Sequence, residues 1–154
     1  MLLSISTKLV STLFVAFLTL LAHPTRAQTP TSLSWDAVYG TGSNSLSKFA
    51  CSDGSNGLEQ KGYTTLDSLR NFPNVGGAPT VLDWNDPNCG KCYTVTYINT
   101  SGVSTSVNIV AVDVGRDGFV VSQQAMDTLT GNQASSLGRV DVTYVEADPS
   151  ACQL

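Results

Sequence analysis

Four cysteines follow an apolar N-terminal leader, and that combination constrains the chain more than anything else in it. Lys8 gives the leader a positive start, residues 9–22 are rich in Leu, Val, Phe and Ala, and Thr25-Arg26-Ala27 ends on a small residue. Charged start, apolar middle and small residue at the cleavage point are the order of a secretory signal. The apolar run is about 14 residues, short of the roughly 20 that cross a bilayer. The sequence therefore predicts a signal over residues 1–27, cleaved after Ala27, and a single domain over 28–154 exported to an oxidising compartment. No later segment has the length and apolarity of a membrane span, and no C-terminal retention or lipid-anchor signal is recognisable.

Removing 27 of the 154 residues changes the charge balance. The leader holds Lys8, Arg26 and the one histidine, His23; the remaining 127 residues carry six basic and twelve acidic side chains, a net charge of −6. An acidic surface of this kind argues against a nucleic-acid partner, which needs clustered positive charge. The loss of imidazole removes Ser-His-Asp and Cys-His catalysis, and with them the usual ligand of a catalytic zinc ion. No cofactor and no metal site is expected.

Cys51, Cys89, Cys92 and Cys152 allow three pairings into two disulfides. Two of these leave Cys89 and Cys92 unbonded to each other, and their loops all span about 40 to 60 residues, worth roughly 4 kcal/mol each. Loop entropy does not choose between them. The third makes Cys89-Gly90-Lys91-Cys92 a redox motif, but such motifs open a helix whose dipole lowers the thiol pKa. Here Tyr93-Thr94-Val95-Thr96-Tyr97-Ile98 follows, with the composition of a strand. A four-cysteine metal site fails as well, because the chain has a single CxxC.

Periodicity predicts a mainly β domain with a few short helices. Leu33, Trp35, Ala37 and Tyr39 alternate with Ser34, Asp36 and Val38, an opening strand. Residues 93–98, a turn at Asn99-Thr100-Ser101-Gly102 and residues 103–114 read as a hairpin, and 140–145 as a last strand. In the second hairpin strand Val107, Ile109 and Ala111 share a face with Asp113, while Val110, Val112 and Val114 line the other. Apolar residues on both faces indicate burial on both sides, as in a small barrel. Ser122, residues 123–129 and Gly131 have the signals of a capped helix burying Ala125, Met126 and Leu129. Thr64 with Asp67 suggests a capping box for a turn carrying Leu66 and Leu69. Repeats and low-complexity tracts are absent from the sequence.

Several segments together resemble the cerato-platanin family of small secreted fungal proteins. They are Cys51-Ser52-Asp53-Gly54, Asn56-Gly57-Leu58, Tyr63-Thr64-Thr65-Leu66, Phe72-Pro73-Asn74-Val75-Gly76-Gly77, Trp84-Asn85-Asp86-Pro87-Asn88-Cys89-Gly90-Lys91-Cys92 and Ala111-Val112-Asp113, with Ala151-Cys152 near the end. The resemblance implies a six-stranded double-psi β-barrel, like the first domain of expansins, and pairing in sequence order, Cys51 with Cys89 and Cys92 with Cys152. Tyr93 stands where many relatives carry Trp, an exchange that keeps an aromatic ring.

Asp113 is the foremost candidate site residue. It ends an apolar strand before Gly115-Arg116-Asp117-Gly118, where a carboxylate can accept from sugar hydroxyl or acetamido groups and Arg116 can pair with it. The resemblance implies a functional Asp in an expansin-like groove at this position; the plainer reading is that Asp113 satisfies local backbone donors. Hydrolysis would need a second carboxylate roughly 5 to 9.5 Å away. Asp117, Asp83 and Asp86 are available in sequence, each more simply read as a solvated loop acid. The glycines of residues 72–79 lack the Gly-Lys-Ser/Thr ending of a phosphate loop. Gly76 and Gly77 instead suit close approach to another chain segment or to a flat sugar ring, with Asn74 offering an amide. Tyr63 and Trp84 are candidate stacking platforms, with core packing as the alternative for each. Asn99-Thr100-Ser101 is an N-glycosylation sequence in an exposed turn.

Read together, these residues predict an extracellular, non-catalytic protein that binds chitin-type N-acetylglucosamine oligomers, associated with a cell wall. The resemblance further implies expansin-like loosening of cellulose and elicitation of plant defence through a receptor. The competing readings are a weak glycoside hydrolase on the same barrel using Asp113, and a surface-active coat protein.

Overall fold

A computed structural model describes residues 27–154, so the signal expected over 1–27, with its Lys8, His23 and Arg26, lies all but wholly outside the described residues. Six strands close into a barrel: β1 (Thr29–Trp35), β2 (Val75–Ala78), β3 (Cys92–Ile98), β4 (Ser104–Val114), β5 (Phe119–Val121) and β6 (Arg139–Ala147), ordered β1-β5-β2-β4-β3-β6. Antiparallel pairing of β1 with β6, Thr29 opposite Tyr144 through Ser34 opposite Arg139, closes the ring. Two pairs, β1 with β5 and β2 with β4, run parallel. The six-stranded barrel with few helices is the fold the sequence led us to expect.

Closure explains the apolar character of both faces of β4. Ile109 and Ala111 on one face, and Val110 and Val112 on the other, are all fully buried. Facing into the ring, Tyr93, Phe119 and Tyr144 meet edge to face, with centroids 5.2 to 5.7 Å apart. The Tyr93 hydroxyl shares a 2.6 Å hydrogen bond with Thr80 Oγ1, a role that a tryptophan ring would not fill in the same way. Helix α1 (Gln123–Thr130) begins as its signals indicate: Ser122 Oγ accepts from Ala125 N at 3.0 Å, Gly131 ends it at φ 72°, and Ala125, Met126 and Leu129 are buried. A single turn, α2 (Ala134–Leu137), follows.

Two local expectations need correction. The opening strand begins at Thr29 and stops at Trp35, because the Asp36 carboxylate accepts from Val38 N at 2.8 Å and turns Ala37–Gly40 into a 3-10 helix. The turn at Leu66–Ser68 is capped one residue later than Thr64 and Asp67 suggested. Ser68 Oγ reaches back to accept from Thr64 N and Thr65 N at 3.1 and 3.3 Å, while Leu66 and Leu69 are buried as expected. The glycine-rich segment contains a wall strand, β2, buried along its whole length.

One disulfide ties two loops to each other and the second ties the C-terminal turn to the barrel. Cys51 pairs with Cys89 and Cys92 with Cys152, in sequence order, across separations of 38 and 60 residues. The first pins the long connection between β1 and β2 against the loop before β3. The second holds the C-terminal 3-10 helix, Pro149–Cys152, to the start of β3. No helix among the described residues is long and apolar enough to cross a membrane.

Candidate functional site

Asp113 is half-buried at the far end of β4, opposite Gly77 of β2. Its carboxylate is a junction. Oδ2 accepts from the Tyr39 hydroxyl at 2.9 Å, and Oδ1 accepts from Ala50 N at 3.0 Å and Val114 N at 2.9 Å. Burial, then the neighbouring Asp113 charge and this hydrogen bond, hold the Tyr39 phenol far above its usual range, so it stays a donor. Arg116, exposed in the loop after β4, makes no ion pair with Asp113. The expected Asp113–Arg116 pair is therefore absent, because local backbone and a buried phenol already supply the donors.

From Asp113 the network runs outward to Trp84. Ala50 donates to Asp113 and accepts from Asn85 N at 3.2 Å, and Trp84 precedes Asn85. Asn85 holds its left-handed turn, φ 61°, with Oδ1 accepting from Asn56 N and its carbonyl from Asn56 Nδ2, both at 2.8 Å. Asn is one of the few residues with a side chain that tolerates this backbone. Trp84 is 57% exposed, yet its Nε1–H donates to Asp53 Oδ1 at 2.7 Å. That bond, first among the causes, holds the Asp53 carboxyl below the usual range. Leu82, 74% exposed, lies two residues before the indole in the same loop.

Asp86, read from sequence as a solvated acid, is instead buried. Its Oδ1 accepts from Asn88 N and Nδ2, both at 2.8 Å, and Oδ2 from Leu82 N at 3.0 Å. These bonds, Asn88 N first, hold its carboxyl low. It shapes the Trp84 loop. Asp83 and Asp117 are exposed, as expected of loop acids, and Asp117 offers its carbonyl to Ser32 Oγ at 2.6 Å.

The remaining sequence candidates scatter. An added Cβ at Gly76 would lie 2.2 Å from the Val120 carbonyl oxygen, and at Gly77 2.4 Å from that of Val114. Buried between β4 and β5, both glycines serve chain-to-chain approach, which corrects the alternative that they face a sugar. Asn74 sits just before β2, its carbonyl accepting from Asn71 Nδ2 and Val110 N, with the side-chain amide making no hydrogen bond among the described residues. Tyr63 is half-buried and lines a cleft of about 590 Å³ with Lys61, Arg70 and the C-terminal Gln153 and Leu154. That cleft includes the C-terminal 3-10 helix, where Ala151 O accepts from Asn108, five residues or about 17 Å along β4 from Asp113. The hydrogen-bond network thus joins Asp113 to the Trp84 loop and does not include the side chains of Tyr63, Asn74 and Arg116. Tyr39, Asp53 and Asn85 complete the site and were missed. Only Asn85, an Asn in a polar loop with turn chemistry, left a local signal.

No group of three or more His, Cys, Asp or Glu side chains suited to a metal ion occurs among the described residues.

Fold and site define a small disulfide-bonded barrel protein with an anchored aromatic beside a carboxylate junction. The chain belongs to the cerato-platanin family, whose model matches residues 31–154. It is 49% identical over 121 residues to the "Allergen Asp f 15 homolog" of Arthroderma benhamiae, covering 79% of this chain and 57% of that one. It is 46% identical over 124 residues to the "Heat-stable 19 kDa antigen" of Coccidioides immitis, covering 80% and 82%. The crystal structure of cerato-platanin 1 from M. perniciosa superposes with a TM-score of 0.77 at 42% identity, covering 80% of this chain and 99% of that one. The solution structure of the fungal elicitor Cerato-Platanin gives 0.68, also at 42% identity, covering 79% and 95%.

Proposed function

We propose that this is an exported, non-hydrolytic protein that holds chitin-type oligomers of N-acetylglucosamine against the face bearing Trp84 and Asp113. The observation that carries this reading is the exposed indole fixed by Asp53. A large aromatic kept out of the core, and held in one orientation, suits the apolar face of a pyranose ring. The charged and amide groups around it, Asp53 and Asn85 among them, suit the ring's hydroxyl and acetamido edges.

The carboxylates favour binding over cleavage. A glycosidase needs one carboxyl that keeps its proton to give to the leaving oxygen. Asp53, which holds the indole, and Asp86, which shapes its loop, are both held low by their hydrogen bonds and so stay ionised. Both oxygens of Asp113 already accept internal donors. Without bond cleavage the action is physical: protein hydrogen bonds replace glycan–glycan bonds and let chains slip. Loosening of cellulose and association with a cell wall follow from the same contacts. Export is supported by the two disulfides and by the leader's composition. A plant receptor is proposed from the relative that is called an elicitor.

Calorimetric titration with the N-acetylglucosamine tetramer tests this reading. Trp84→Ala should weaken binding about tenfold, equivalent to about 1.4 kcal/mol, with the fold intact. No heat from the unsubstituted protein, or equal affinity in Trp84→Ala, would overturn it.

A further inference from the structure

The turn between β3 and β4 carries an acceptor that glycan binding at Trp84 does not use. We propose that Asn99 is an N-glycosylation site, and that the first N-acetylglucosamine residues attached there cover the exposed side chains of Ile98 and Val103. The acceptor sequence Asn99-Thr100-Ser101 is necessary for this and common by chance, so the geometry decides.

The turn is closed by its own bonds. Asn99 N donates to Val103 O at 3.0 Å, and Gly102 N to Asn99 O at 2.9 Å. Asn99 Oδ1 accepts from Ser101 N and Val103 N, both at 2.9 Å. Both partners are N–H donors, so the side-chain atom facing them must be the oxygen, which fixes the amide's orientation. Nδ2 is left on the opposite side with no acceptor among the described residues. Residues 99–103 are exposed throughout, and a Cβ added at Gly102 would meet nothing within 4 Å. The acceptor nitrogen is thus held, aimed away from the main chain and unobstructed.

The second observation is independent of the motif. Ile98 is 62% exposed and Val103 57% exposed, and these two large apolar side chains bracket the turn. A saccharide starting at Nδ2 begins next to both in the chain, and the apolar face of a pyranose matches them. Ile98 also borders a groove of about 630 Å³ whose lining includes Pro30, Thr96, Thr143 and Asp141. That groove offers a second sugar hydroxyl and carboxylate partners beside an apolar edge.

The covalent step is a glycosyl transfer supplied by the export pathway. Nδ2 attacks C1 of the reducing-end N-acetylglucosamine of a lipid-linked oligosaccharyl diphosphate, forming a C–N bond. The C1–O bond breaks, the lipid diphosphate leaves with the electron pair, and one Nδ2 proton passes to a base of the transferase. The inference rests on export, and is independent of glycan binding at Trp84.

Translation of the full 154-residue chain in vitro with endoplasmic-reticulum microsomes tests it, with external protease reporting translocation. The protease-protected chain should migrate more slowly than the polypeptide alone. Peptide N-glycosidase should abolish the difference and leave aspartate at position 99. Asn99→Gln and Ser101→Ala should each prevent the modification, the latter while keeping the Ser101 N–H that holds the turn. A protected chain with unmodified Asn99 would overturn the proposal and leave export standing. A chain left open to protease would overturn both.

Discussion

Asp113 accepts from residues 74 and 63 positions away in sequence, Tyr39 and Ala50, as well as from its own neighbour Val114. The sequence placed Asp113 at a strand end, and there it is. What it could not carry is the identity of distant donors, because nothing local to Tyr39 marks it as a partner. Arg116, three positions on, was the natural local guess, and the structure bypasses it. Replacing Asp113 by Ala strands the Tyr39 phenol and the backbone N–H groups of Ala50 and Val114. Each unsatisfied buried group costs about 1–3 kcal/mol, so with three donors stranded Asp113→Ala should destabilise the protein by about 3 kcal/mol or more in a denaturant titration. Asp113→Asn keeps one acceptor oxygen and should cost less. Equal stability of Asp113→Ala and the unsubstituted protein would mean that the junction contributes nothing to the fold. Loss of sugar binding in Asp113→Ala alone is therefore ambiguous, which is why Trp84, exposed and anchored, is the sharper probe.

At the scale of elements, α1 and β2 mark the two ends of what local chemistry reveals. The cap of α1 at Ser122, its glycine stop at Gly131 and its buried stripe all act within a few residues, and each was legible. β2 was not, since Val75-Gly76-Gly77-Ala78 has neither alternation nor bulk. It is a strand because β4 and β5 pair with it on both sides and leave no room for side chains at the glycines. Gly76→Ala would drive a methyl to 2.2 Å from a carbonyl oxygen of β5, and backbone there cannot yield without opening the barrel wall. The expected cost exceeds about 4 kcal/mol, the range of severe core disruption. Loss of cooperative thermal unfolding in Gly76→Ala would bear this out; an unchanged melting temperature would contradict it. Gly62 and Gly102 are exposed, with open space around their Cβ positions but φ of 88° and 78°, so alanine there reports backbone strain without a steric clash.

For the whole molecule, closure of the barrel and two disulfides set the frame within which charge sets the working pH. Burial first, then Asp113, raises the Tyr39 phenol, so the native state keeps its proton where the unfolded chain loses it, near pH 10. The stability from this group is whole below about pH 10 and is lost as pH rises beyond it. Asp53 and Asp86 act in the opposite sense. Their depressed carboxyls add stability above the ordinary carboxyl range, near pH 4, and lose it as pH falls. Unfolding midpoints should hold level between these limits and drop at both ends. Tyr39→Phe should make the alkaline fall shallower, though Tyr93, raised chiefly by burial, keeps part of it. An alkaline limb unchanged in Tyr39→Phe would remove the phenol from the explanation.

Glycan binding at the Trp84–Asp113 face is tested most directly by NMR titration of isotope-labelled protein with the N-acetylglucosamine tetramer, the sample then being kept for days. Binding without cleavage predicts shifts confined to the Trp84 indole N–H and the amides of Ala50, Asn85 and Val114, with the tetramer intact. New reducing-end signals would make the protein a hydrolase, and an absence of shifts at these groups would contradict binding at this face.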